Sequence, residues 1–344
     1  MESAGLSTSI TKKSGFLTSK SLSADVGILF FVLSFSFLGY KLLSFNQYDA
    51  LATQWEQMPF SQLWWLVGVL TLIPLNWYLE SLKWKMLTSG VQKITLNESV
   101  KAVLAGISTG FFTPNRIGEL VGRVAFLDSR NRKSGITLSI VNSLTQNSVM
   151  AMCGIPACIL FFTITKGKLK PDLINFVMIL LISILTFGLI YFSLPGWSRL
   201  LKKSRLSEKI KSFTDCLSSY KRKDLLRIMS ISLFRYIVFS TQFYFMLRFF
   251  SVDLTPWQAL ISIPTSYLFV TFTPSLAFSE AAVRSSYAVL VIGIFSTSVV
   301  SIALSGICIW ALNFIIPMVA GSVVLVRKRL SSINGMEIEQ NIQE

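Results

Sequence analysis

The sequence predicts an all-α polytopic membrane protein with about six full spans plus two re-entrant helical hairpins, arranged as an inverted-topology repeat. Three observations lead there. Of 344 residues, 52% are hydrophobic and 14% charged, against about 25% charged in an ordinary soluble domain, and the mean hydropathy is +0.59. The apolar residues are gathered into runs of about 20, the length a helix needs to cross a bilayer. A short apolar run, a proline and a charged helical segment occur twice, 160 residues apart. This composition excludes a soluble globular protein, a disordered chain and a disulfide scaffold.

Residues 1–25 form a cytoplasmic head carrying Lys12, Lys13 and Lys20. Val26–Phe45 is the first span; it is long for a signal-peptide core and no A-x-A cleavage site follows it. Leu63–Leu82 is the next, with a kink expected at Pro74. Leu96–Phe112 is too short to cross, stops at Pro114, and is followed by the charged segment Ile117–Leu127. Ile136–Thr165 is either one tilted helix or a tight hairpin, and Leu173–Leu194 closes the first repeat, residues 62–194. The basic cytoplasmic loop 196–224 separates it from the second repeat, residues 225–326. There Leu225–Phe250 spans, Pro256–Phe272 is again too short and stops at Pro274, Ala277–Ile292 returns, and Phe295–Val326 is again long. Residues 327–344 form a cytoplasmic tail.

Lysine and arginine orient the chain, because they accumulate on the cytoplasmic side. Loop 46–61 has Asp49 and Glu56 but no Lys or Arg, and is placed outside. Lys83, Lys85, Lys93, Arg130, Arg132 and Lys133 fall inside, as do the nine basic residues of 196–224 and the Arg327-Lys328-Arg329 triplet. Lys166, Lys168 and Lys170 fall outside, against the rule. Both termini are cytoplasmic, in the cell (inner) membrane. The first hairpin then enters from the cytoplasm and the second from outside, as in carriers whose substrate site lies where discontinuous helices meet near the bilayer midplane.

The repeat is detailed. Phe112-Thr113-Pro114 matches Phe272-Thr273-Pro274; Glu119 and Arg123 are four apart, as are Glu280 and Arg284. Upstream, Thr95 with Glu98 and Thr255 with Gln258 read as capping boxes, which close the free amides at a helix start. Thr95, Thr255, Pro114 and Pro274 are therefore the structural caps and breaks of the hairpins.

Net charge is +15 with no histidine. A Ser-His-Asp triad and a histidine metal ligand are excluded, and no P-loop or GxSxG motif is present. Cys153, Cys158, Cys216 and Cys308 have no zinc spacing; three of them read as small buried hydrophobes. The basic charge suits an anionic membrane surface, and segment 196–224 reads either as an amphipathic helix on the inner leaflet or as topology-setting charge. Nucleic acid is not expected as a partner, and neither enzymatic activity nor a cofactor or metal is expected.

Charges inside apolar segments cost about 2.5–3.5 kcal/mol each on insertion scales and need a partner or a role. The candidate substrate-binding residues are Arg116, Glu119, Arg123, Glu280, Arg284 and Arg235. Helix N-termini after the breaks, together with Arg116, suit a phosphate. Arg116 has no acid at i+4 and is expected to contact phosphate directly. The Glu/Arg pairs bind substrate, satisfy each other at i,i+4, or lock the repeats by crossing, Glu119 with Arg284 and Arg123 with Glu280. Glu80 and Lys83 read as interfacial, with Trp77 and Trp84 as belt aromatics, and the polar run Asn142–Ser148 as helix packing more than pore lining.

Thr113-Pro114-Asn115-Arg116-Ile117-Gly118-Glu119 with Arg123 resembles the P-x-R-x-G-E-x-x-x-R signature of the lysylphosphatidylglycerol synthase transmembrane, or flippase-like, family. Thr273-Pro274 with Ser279-Glu280 and Arg284 is similar to its second-half motif, with Leu276-Ala277-Phe278-Ser279 in place of the usual glycines. The resemblance implies a flippase-like transmembrane domain over 26–326, standing without a soluble synthase domain. It implies lipid transport, with membrane lipids, of anionic type, as partners. The alternative is a non-transporting accessory protein that presents a lipid carrier to an envelope-biosynthesis enzyme such as a glycosyltransferase. A small-solute carrier would instead show a closed, narrow site.

Overall fold

A computed structural model describes residues 59–111, 113, 116–165, 177–186, 220–273 and 277–343, with isolated positions 49, 53, 56, 188, 189, 191, 193 and 196. The head, the span Val26–Phe45, most of loop 196–224, and the breaks at Pro114 and Pro274 lie outside the described residues. Among the described residues the fold is wholly helical. The principal helices are α1 (Leu63–Thr88), α2 (Leu96–Gly110), α3 (Gly118–Val124), α4 (Arg132–Thr165), α5 (Arg222–Phe249), α6 (Pro256–Phe272), α7 (Ala277–Ile292), α8 (Val299–Trp310) and α9 (Ile316–Gln343).

Among the described residues, three helical runs are long and apolar enough to cross a membrane: Phe60–Thr88, Ser129–Thr165 and Val299–Leu330. Val177–Thr186 is a shorter apolar helix inside the expected span Leu173–Leu194. The expected span Leu225–Phe250 forms a continuous helix, but Arg227, Arg235 and Arg248 make it less apolar than those three. Large apolar side chains face outward on these helices, Trp64 being 72% exposed, while charged groups are buried inside. This inverts the arrangement of a water-soluble bundle and suits a lipid surround.

Two ambiguous stretches each form a single run. Arg132–Thr165 is one helix with Pro156 inside it, about 51 Å long by helical rise. Val299–Gln343 continues from α8 to α9 through a π-helical turn, Ala311–Ile315. It starts four residues later than Phe295, behind Ser298. The return segment α3 is shorter than Ile117–Leu127, because Ala125–Leu127 already form a turn after Val124.

Both capping boxes form. Thr95 N donates to Glu98 Oε2 at 2.7 Å and Glu98 N to Thr95 Oγ1 at 3.2 Å. Thr255 N donates to Gln258 Oε1 at 2.9 Å and Gln258 N to Thr255 Oγ1 at 3.3 Å. Each cap contributes about 1 kcal/mol and sets the start of a short helix, α2 or α6.

The helices pack in crossed pairs. Helix α1 lies along α5, α2 on α3, and α6 on α7. Each short helix also packs on the long helix of the other half, α2 on α9 and α6 on α4. Glycine allows both crossings. A Cβ on Gly321 of α9 would lie 2.0 Å from Leu104 O of α2, and one on Gly154 of α4 would lie 2.8 Å from the Leu268 side chain of α6. Gly321→Ala is expected to destabilise by about 1–3 kcal/mol, because a backbone carbonyl cannot step aside. Gly154→Ala is expected to cost less, because its overlap, with Leu268 Cβ at 2.8 Å and Pro264 O at 3.1 Å, is smaller. Thermal unfolding of the two variants in detergent checks the order.

Candidate functional site

Charged side chains expected at depth come together in one connected array. Its hub is Glu80 on α1, which is 3% exposed. Glu80 Oε2 lies 3.1 Å from Lys83 Nζ and 3.0 Å from Arg235 Nη1; its Oε1 lies 2.7 Å from Arg123 Nη2. Asn142 Nδ2 of α4 donates to Oε1 at 2.8 Å. One carboxylate thus joins α1, α3, α4 and α5. The interfacial reading of Glu80 and Lys83 is corrected: α1 is enclosed by α4 and α5, and Lys83 has no exposed surface. Trp84 is likewise buried, not a belt residue, and Arg123 stands 5.7 Å over its ring.

Glu119 carries the array onward. Its Oε2 lies 3.1 Å from Arg123 Nη2 and its Oε1 3.5 Å from Arg116 Nη1. Arg116 then reaches across to α7. Its Nη2 donates to Glu280 Oε1 at 2.7 Å and Oε2 at 2.8 Å, and its Nε donates to Oε2 at 3.2 Å. Arg284 Nη2 also donates to Glu280 Oε1 at 2.7 Å. Arg116, expected to contact phosphate directly, is paired with Glu280 in the structure. Its φ of 56° places an L-residue in left-handed backbone, which costs of order 1–3 kcal/mol. The same residue makes a bidentate ion pair and lies 3.5 Å over the Phe314 ring.

Of the alternatives for the Glu/Arg pairs, the crossing one is corrected. The i,i+4 pairs Glu119–Arg123 and Glu280–Arg284 form, but Glu119 does not meet Arg284, nor Arg123 Glu280. The crossing pairs are Arg116–Glu280 and Glu80–Arg235. The amides behind the first break are partly engaged: Gly118 N donates to Thr113 Oγ1 at 2.7 Å. Helix α3 is also only seven residues long, so side chains and not a helix terminus supply the cationic field.

Arg235 is held from three sides, by Glu80, by Asn76 Oδ1 at 2.8 Å from its Nε, and by Gln146 Oε1 at 3.3 Å from its Nη1. Asn76 Nδ2 donates to Asn313 Oδ1 at 2.8 Å. Asn313 and Phe314 sit on the π-helical turn, a distortion found often at functional sites. Sequence reasoning left both unnamed. Asn313 was signalled only as the one polar side chain in the run Ile307–Gly321. The run Asn142–Ser148 has two roles: Thr145 Oγ1 donates to Val141 O, while Asn142, Ser143, Gln146 and Asn147 line a cavity. Gln242 is buried and donates to Val69 O, a packing role. Cys153, Cys158 and Cys308 are free thiols, half-buried and not fully so.

That cavity measures ≈ 520 Å³ and is bordered by Arg116, Arg123, Arg235, Arg284, all three glutamates, amide side chains and Trp310. Its size falls within the roughly 300–1,000 Å³ of ligand pockets. In the array Lys83 and four arginines face three glutamates, so two formal positive charges are unmatched. Arg123 Nη1 and Asn142 Oδ1 are buried without hydrogen-bond partners. Unpaired buried groups of this kind are costly. Among the described residues, no group of three or more His, Cys, Asp or Glu could hold a metal ion.

Residues 24–321 match the family model of the lysylphosphatidylglycerol synthase TM region. The chain belongs to this family. The match covers most of the chain and agrees with the apolar helices: this is a membrane protein of a lipid- or envelope-related family, and the matched region is the family's transmembrane part. It includes all six candidate binding residues together with Glu80, Asn76 and Asn313. Comparison with curated proteins and with solved structures gave no match.

Proposed function

We propose that this protein is flippase-like: it takes the headgroup of an anionic phospholipid or lipid-linked compound into the cavity and translocates it. The observation that carries this reading is a cavity lined by four arginines and three glutamates, one positive charge in excess, inside a shell of apolar helices. Arginine matches phosphate with parallel N–H donors, and an anion there would occupy the surplus donors of Arg123 and Arg116. In this reading α2–α3 and α6–α7 are re-entrant hairpins that approach the midplane from opposite sides. Their crossed packing and the shared 160-residue offset of α2 and α6 support it. The acyl chains remain in lipid while the headgroup passes.

The two crossing ion pairs are the natural gate. A phosphate at Arg116 competes with Glu280 for the same donors, and its binding loosens one of the ties between the halves. The test is translocation of a fluorescent anionic phospholipid by purified protein in liposomes. Wild type is expected to accelerate exchange, and Arg116→Ala and Glu119→Ala are expected to slow it by about tenfold or more, the effect of roughly 1.4 kcal/mol. Wild-type rates in both variants would remove these residues from the site. Lipid binding without exchange in wild type would favour the presenting role over translocation.

A further inference from the structure

Lys83 has no part in the headgroup reading above, and its surroundings are unusual for a lysine. Its side chain has no exposed surface. Nζ lies 3.1 Å from Glu80 Oε2 and donates to Gln146 Oε1 at 3.4 Å. Arg235 Nη1 sits on the same two oxygens, 3.0 Å from Glu80 Oε2 and 3.3 Å from Gln146 Oε1. Two cations, from α1 and α5, thus face each other across one shared carboxylate oxygen and one shared amide oxygen. Arg123 of α3 is a third cation on the same acid, 2.7 Å from Glu80 Oε1. From α4 come only the uncharged Asn142 and Gln146.

Like charges this close disfavour the state in which both are ionised. Arginine keeps its proton, whereas a buried lysine can give its proton up. Lys83 is therefore the cation of this group that can change its charge. The proton has a short way out: Lys83 does not line the cavity, but Glu80 and Gln146, which it touches, both do. Charge balance then links proton to anion. The array carries two excess positive charges with Lys83 protonated and one with Lys83 neutral. A headgroup with one negative charge offsets one of them. The array thus has the same net charge when proton and headgroup are both bound as when both are absent. Extra charge deep in a bilayer is costly, so these two states change access at like cost. By linkage, the anion favours the proton as much as the proton favours the anion.

We infer that Lys83 is a proton-binding site, and that the protein carries one proton with each singly charged anionic headgroup. Nζ gains the proton as the headgroup enters and releases it to cavity water as the headgroup leaves. This rests on the translocation reading above and gives it a driving force, the transmembrane pH difference.

The experiment uses the full chain in phosphatidylcholine liposomes with trace fluorescent phosphatidylglycerol and the membrane potential clamped to zero. The distribution of label between leaflets is read at equilibrium. Under a gradient of about one pH unit, one proton per lipid gives about tenfold enrichment in the leaflet facing the alkaline side. Without the gradient the two leaflets are expected to be equal. Lys83→Arg keeps a cation on the two oxygens but does not release its proton, and Lys83→Met has none to release. Both are expected to exchange lipid without enrichment under the gradient; tenfold enrichment in either overturns Lys83 as the proton site. Exchange by wild type with equal leaflets under the gradient overturns this inference alone and leaves the translocation reading standing. Absence of exchange in wild type overturns the translocation reading, and a binding measurement then decides the proton site. Dioctanoyl phosphatidylglycerol is added to the full chain in weakly buffered detergent, and proton uptake is read with an indicator dye. Uptake by wild type that is missing in Lys83→Arg upholds the linked site, and no uptake by wild type overturns it.

Discussion

Glu80→Ala is expected to cost about 3–5 kcal/mol, the penalty for stranding buried charges by removing one partner. Lys83, Arg123 and Arg235 would all lose their shared carboxylate, and Asn142 Nδ2 would lose its acceptor. No other acid lies within ion-pair distance of Lys83 or Arg235 among the described residues, so the array cannot simply re-pair. Glu80→Gln keeps an acceptor for Asn142 but no charge, and should fall between wild type and Glu80→Ala. Thermal unfolding in detergent, with folded yield by size exclusion, reads the order. A Glu80→Ala protein within about 1 kcal/mol of wild type would show that Glu80 is not the hub.

The second large effect is expected at the Arg116–Glu280 tie. Glu280→Ala removes the acid shared by Arg116 and Arg284, and truncating one partner of a buried, hydrogen-bonded pair costs about 2–5 kcal/mol. Much of that cost is the stranded guanidinium. Arg116→Ala together with Glu280→Ala is therefore expected to be less destabilising than the sum of the singles, by about 0.5–3 kcal/mol, as contacting residues are. Arg116→Ala also removes a side chain from left-handed backbone without relieving the backbone itself, so no stability is regained there. Additive singles would mean that Arg116 and Glu280 do not depend on each other in the folded protein. Lipid exchange measured on the same three variants separates the tie from the transport step.

Helix positions were legible because they depend on local chemistry. Pro256–Phe272 and Ala277–Ile292 begin and end where the apolar run, the cap and the break place them. Thr95 and Thr255 cap because a threonine three residues before a Glu or Gln can close the first amides whatever surrounds it. The i,i+4 pairs Glu119–Arg123 and Glu280–Arg284 were legible for the same reason: helical pitch alone brings them together. The longer runs were ambiguous between one helix and two, since Pro156 and the turn at Ala311–Ile315 interrupt neither path.

The pairing of charges between distant helices was not legible. Arg116 lacks an i+4 acid and looked available, yet its left-handed backbone directs it to Glu280, 164 residues away. Glu80 and Lys83 stand near a helix end rich in tryptophan, which reads as an interface until α4 and α5 close over them. The amides Asn76, Gln146 and Asn313 gain meaning only where α1, α4, α5 and the π-helical turn meet.

Composition and hydropathy by themselves determined that this chain is helical and membrane-embedded, and the repeated motif singled out Glu119, Arg123, Glu280 and Arg284 as charges within apolar segments. The tertiary structure alone decided that those charges form one array, that Glu80 and not the repeated pairs is its centre, and that the array carries a surplus of two positive charges beside a cavity. The division has a physical cause. Burying apolar surface and closing helix ends are satisfied within one segment, whereas a carboxylate in an apolar interior accepts whichever cations the packing brings to it.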